Sequence, residues 1–147
     1  MLNNRLLKLF TVLCAVAFLD AAYLTFIHYA HLSVVCPVGN GCDIVSQSQY
    51  AAIGPVPVAL VGVLYFGFLS IAVFFSIKND KREYLMPAFY LSLFGALGAL
   101  RFIYLQIFVL HALCPYCLFA DTIALVLPLI CFKFYKRADN PAIDLHT

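Results

Sequence analysis

The sequence predicts an all-α, polytopic membrane protein: a four-transmembrane-helix bundle with a long extracytoplasmic loop between helices 1 and 2. Three observations predict it. Of 147 residues, 65% are hydrophobic and only 11% charged, with a mean hydropathy of +0.97. Soluble domains are about half apolar and about a quarter charged, so this chain lacks the charge to coat a water-facing surface. Four blocks each approach or exceed the roughly 20 apolar residues that a spanning helix needs: about Leu9 to His28, Val56 to Ile77, Leu85 to Leu110 and Leu113 to Tyr135. Finally, the basic residues fall at alternate ends of these blocks. Residues 1–147 read as one membrane domain without an internal repeat.

The first block is too long for a signal-peptide core and has no A-x-A-like cleavage site after it. Leu13 before Cys14 also spoils a lipoprotein-type cleavage box, so the block is expected to be retained. Arg5 and Lys8 precede it, Lys78, Lys81 and Arg82 separate the second and third blocks, and Lys133, Lys136 and Arg137 end the fourth. Short loops rich in Lys and Arg stay in the cytoplasm. Eight of the nine basic residues therefore agree on both termini inside, and the ninth, Arg101, lies within a span. A net charge of +2 scattered in this way excludes a nucleic-acid-binding patch.

Tyr29 to Pro55 is then an extracytoplasmic loop, and the turn from Leu110 to Leu113 faces the same side. Within the loop, Asp43 is expected to cap a short helix that starts directly after Cys42 and runs to about Ile53, where Gly54 and Pro55 stop it. Its apolar residues Ile44, Val45, Ala51, Ala52 and Ile53 suit a segment lying on the bilayer surface.

Four of the six cysteines fall on that outer side: Cys36 and Cys42 in the loop, Cys114 and Cys117 at the head of the fourth span. The compartment outside the cytoplasm permits disulfides. Cys114-Pro-Tyr-Cys117 is a C-x-x-C motif where a helix begins, with Pro115 suited to the first helical position and Cys114 to the N-cap. Free N–H groups and the positive end of the helix dipole there stabilise a thiolate. Cys117, three residues on, sits about 4.5 Å nearer the lipid. Cys36 and Cys42 enclose five residues, two of them glycines, so that pair can close and open a disulfide with little strain. Two structural disulfides or a four-thiolate zinc clip would use the same cysteines, as would a thiolate-based metal-ion carrier. A mobile pair above a helix-start pair fits a redox relay better than any of these. Cys14 and Cys131, inside spans, read as buried packing residues.

In order along the chain stand Cys36-x5-Cys42-Asp43-Ile44-Val45-x2-Ser48-x-Tyr50-Ala51, then Gly54-Pro55-Val56-Pro57-Val58-Ala59 and Gly62, then Cys114-Pro-Tyr-Cys117. That ordered set resembles the bacterial members of the vitamin K epoxide reductase family, over most of the chain. The resemblance implies a four-helix membrane bundle that holds a quinone, ubiquinone or menaquinone, beneath the outer surface of the cell (inner) membrane. It implies an oxidoreductase that oxidises a thioredoxin-like extracytoplasmic partner and reduces the quinone pool. Cys36 would exchange with the partner, Cys42 would attack Cys114, and Cys117 would be released facing the quinone. Ser48 matches the family's serine near the active site. Some bacterial members carry a fused thioredoxin domain; here a separate partner protein is expected, because the sequence ends a dozen residues after the last span. Asp121 stands where vertebrate members have a tyrosine, which points to plain quinone rather than its epoxide. Reduction of quinone or epoxide for its own sake is the alternative use of the same wiring.

Asp20, Arg101 and Asp121 are ionisable residues within spans, which usually face a bundle interior or a site. Counted from the outer ends of their spans, each lies about 12 to 14 Å deep. They are expected to meet, Arg101 pairing with Asp121, Asp20 or both as the floor of a quinone pocket. His28, His31 and His111 fall near the outer boundary, where they are candidates for proton transfer.

Overall fold

The computed structural model describes residues 4–37, 39–78 and 85–139. Lys81, Arg82 and the tail beyond Asp139 lie outside the described residues. The elements are α1 (Asn4–Ala30), α2 (Gly41–Ser46), β1 (Ala52–Ile53), β2 (Val56–Pro57), α3 (Val58–Lys78), α4 (Leu85–Tyr104), a π-helical turn (Leu105–Val109) and α5 (Pro115–Asp139). Each of the four long helices carries an apolar stretch long enough to cross a membrane. The protein is an all-α, multi-pass membrane protein.

Those stretches are apolar all round, as lipid-facing helices must be. At most 39% of any of them is buried, and Leu19, Phe26, Phe68, Phe94, Leu97 and Leu129 point outward. The helices close a ring in which α1 packs on α3 and α5, and α4 on α3 and α5. Inside it Phe10, Cys14, Leu69, Leu127, Cys131 and Phe134 form the main core, with Phe10 and Phe134 edge to face at 6.0 Å. Cys14 and Cys131 are thiols packed there.

The loop between α1 and α3 departs from the expected single helix in two ways. α2 starts at Gly41, takes in Cys42, and ends at Ser46. Asp43 does not cap it: its Oδ1 instead accepts the Val34 N–H at 2.8 Å, so a tertiary contact has claimed the carboxylate. Ala52 and Ile53, expected at the end of the helix, instead enter a two-stranded antiparallel ladder that pairs Ala52 with Pro57 and Ile53 with Val56. Gly54 turns this hairpin at φ +63°, a conformation that glycine adopts without steric cost. Gly54 and Pro55 therefore make a turn rather than a helix stop, and Pro57 begins the lead into α3.

Candidate active site: two cysteine pairs in one cluster

The C-terminal end of α1 and the start of α5 meet at one end of the bundle, and there the two cysteine pairs share a packed cluster. Cys42 and Cys114, both 0% exposed, belong to it with Ile27, Val34, Val45 and Ala112; Cys36, Tyr116 and Cys117 pack against it. Cys36 and Cys42 are joined in a disulfide with Cα atoms 5.7 Å apart, while Cys114 and Cys117 are thiols. Among the described residues no group of three or more His, Cys, Asp or Glu could hold a metal ion.

Cys114 directly precedes Pro115, the first residue of α5, and its sulfur does what an N-cap oxygen ordinarily does. It accepts the Cys117 N–H at 3.3 Å, and the Cys114 carbonyl accepts the Leu118 N–H at 2.9 Å. The Cys114 thiol is held below its ordinary range. The hydrogen bond from the Cys117 side chain contributes most, burial opposes it, the N–H groups of Cys117 and Tyr116 assist, and the charge of Asp20 opposes weakly.

Two contacts fix the loop pair over the helix pair. A Cβ at Gly41 would overlap the Leu113 carbonyl, so only glycine lets α2 sit this close to the turn before α5. The Tyr116 hydroxyl, inside the C-x-x-C motif itself, donates to the carbonyl of Val35, the residue before Cys36, at 3.2 Å. Tyr23 of α1 lies against the Tyr116 ring, with centroids 5.9 Å apart.

Sequence reasoning missed Gln106. It lies in the π-helical turn, is 0% exposed, and its Oε1 accepts the Cys114 N–H at 2.9 Å. Its Nε2 is buried without a hydrogen-bond partner. An unsatisfied buried donor costs about 1 to 3 kcal/mol, more than the roughly 1 kcal/mol that one hydrogen bond returns. A signal for it existed. Ala88, Ser92, Ala96 and Ala99 are the buried face of α4, and seven residues beyond Ala99 the same face comes round to Gln106.

The same periodicity explains why Arg101 does not join the aspartates. Two residues from Ala99 is more than half a turn of helix, and the Arg101 side chain points out of the bundle. No ion pair links it to Asp20 or Asp121, whose Oδ2 atoms are buried without a hydrogen-bond partner. The expected pocket floor built on Arg101 is thus corrected. Both aspartates nevertheless lie within electrostatic reach of the thiols: Cys117 interacts with Asp20 and Asp121, and Cys114 with each of them.

Ser48 donates to the Val45 carbonyl at 2.8 Å and so secures the end of α2, which carries Cys42. His28 is half-buried with its ring edge to face on Tyr29, whereas His31 and His111 are exposed turn residues at φ +53° and +48°.

One comparison with known proteins bears on this constellation. The family model described as the vitamin K epoxide reductase family matches residues 8–132, a stretch that contains both cysteine pairs.

Proposed function

Because the chain belongs to the vitamin K epoxide reductase family, whose members are membrane oxidoreductases of disulfide and quinone chemistry, we propose that it is a quinone-coupled thiol oxidase that makes disulfides de novo. The burial of Cys42 and Cys114 in one packed cluster carries this reading.

A dithiol partner attacks Cys36, releases Cys42, and leaves as its own disulfide, so two electrons enter the loop pair. Cys42 attacks Cys114 in the Cys114–Cys117 disulfide and releases Cys117. Cys36 then attacks Cys42 and releases Cys114, whose depressed pKa makes it a good leaving group. The result is a disulfide at Cys36–Cys42 and thiols at Cys114 and Cys117, the arrangement seen in the structure. A bound quinone, ubiquinone or menaquinone, would supply the oxidising power as acceptor of two electrons and two protons, and the Cys114 and Cys117 thiols would return to their disulfide. Asp20 and Asp121, with unpartnered Oδ2 atoms near Cys117, would hold protons for that step. Arg5, Lys8, Lys133 and Lys136 stand at the opposite end of the bundle from the cysteines, which favours an active site on the extracytoplasmic side of the cell membrane. The partner proposed for it is a thioredoxin-like protein on that side.

Anaerobic mixing of the purified protein with a reduced thioredoxin-like protein and a soluble quinone, followed by quinone absorbance, tests the relay. Wild-type protein is expected to turn over, and a partner that keeps only its attacking cysteine to open the Cys36–Cys42 disulfide and stay as an adduct on Cys36, with Cys42 released as the thiol. Undiminished turnover in all four single cysteine variants would overturn the reading. In the same assay Asp121→Asn is expected to lower quinone reduction by about a hundredfold, the lower end of the range for losing one general acid, while partner exchange at Cys36 stays unchanged. Full turnover with only a lowered Tm would show that Asp121 is structural.

A further inference from the structure

We propose that Gln106 is the positioning residue of the thiol relay, its side-chain carbonyl fixing the backbone of Cys114 so that the sulfur is presented to Cys42. The inference rests on the relay reading and adds a residue that the cysteine motifs do not include.

Cys114 is the junction of the relay, since it is bonded in turn to Cys117 and to Cys42. A residue that changes partners needs a fixed backbone, because displacement at sulfur requires an aligned attack. The Cys114 N–H precedes the helix and has no partner within α5. Gln106 supplies one, from a turn that also holds the Ala112 N–H through the Gln106 backbone carbonyl at 3.1 Å. Both bonds reach the same stretch, from Ala112 to Cys114, so one residue braces the whole approach to α5. The π-helical turn matters here, because such turns recur where a helix is re-aimed at a functional site. The carboxamide satisfies the buried Cys114 N–H but keeps its own Nε2 buried and unpaired, so exchanging it for an apolar residue of similar size trades one orphaned donor for another. A role in packing therefore does not account for glutamine; a role at Cys114 does.

The test uses the full chain with Cys36→Ala and Cys117→Ala, which leaves Cys42 and Cys114 as the thiols of the site. Diamide removes two electrons and two protons from them to form the inter-pair disulfide, and equilibration against dithiothreitol, read by peptide mapping, gives the stability of that bond without quinone or partner. Adding Gln106→Leu is expected to shift the equilibrium toward the open thiols by about tenfold or more, since small misplacements of reacting atoms cost up to about a hundredfold. Its Tm is expected to stay close to that of the parent, because the loss of the unpaired Nε2 offsets the orphaning of the Cys114 N–H. Gln106→Glu, which keeps an acceptor for the Cys114 N–H, is expected to stay close to the parent. Equal cross-linking in Gln106→Leu, failure of Gln106→Glu to rescue, or a fall in Tm that accompanies the loss would each overturn the inference. A parent that forms no Cys42–Cys114 bond would overturn the relay itself, and this inference with it.

Discussion

Gly41→Ala is expected to lower disulfide-forming turnover by about a hundredfold, the scale associated with small misplacements of reacting groups, while the four-helix bundle stays folded. The added methyl would occupy the space of the Leu113 carbonyl, a backbone atom that cannot rotate aside as a side-chain tip can. α2 must then move off the turn before α5, carrying Cys42 with it. Because α2 lies outside the ring of spanning helices, the main core around Leu69 and Leu127 keeps its contacts. The measurement is quinone-coupled turnover beside a thermal melt in detergent. Turnover near the wild-type rate would show that the close approach at Gly41 is dispensable.

Cys117→Ala is the second large effect, with two separable readouts. Turnover is expected to fall to background, because no second thiol remains to give the helix pair its two electrons. The remaining Cys114 thiolate can still attack Cys42 in the loop disulfide, so a Cys42–Cys114 linkage is expected in peptide maps without reductant. The second readout is the thiolate titration of Cys114 in reduced protein, followed by ultraviolet absorbance against a Cys114→Ala control. An ordinary thiol ionises near about 8.5, and Cys114 is held lower chiefly by its bond from Cys117. Its thiolate therefore forms at lower pH than usual in the parent. Removing the donor leaves burial less opposed, so the midpoint must move upward in Cys117→Ala. An unmoved midpoint would mean that the α5 backbone alone sets the ionisation.

Elements governed by local chemistry were legible in the sequence. The four spanning helices follow from apolar length, and the start of α5 at Pro115, with Cys114 capping it, follows from the chemistry of proline and of helix ends. What escaped was settled by contacts between distant residues. Asp43 is a good helix cap by type, yet the Val34 N–H holds its carboxylate. Gly54 and Pro55 would end a helix or turn a hairpin equally well, and pairing of Ile53 with Val56 decides between them. Depth along a span follows from residue count, but rotation about the helix axis depends on packing. That is why residue count leads to an expected meeting of Asp20, Asp121 and Arg101, while the outward aim of Arg101 does not follow from it. The buried stripe from Ala88 to Ala99 contains the missing angle, and it would have turned attention from Arg101 to Gln106.

The burial of the cysteines also bears on leakage. Cys42 and Cys114 are closed off completely, while Cys36 and Cys117 keep partial access. In the proposed relay this resembles an insulated conductor with one terminal toward the aqueous partner and another toward the lipid. Small thiols in solution could then draw oxidising equivalents only through Cys36, where a docked protein can exclude them, and not from the junction in the middle.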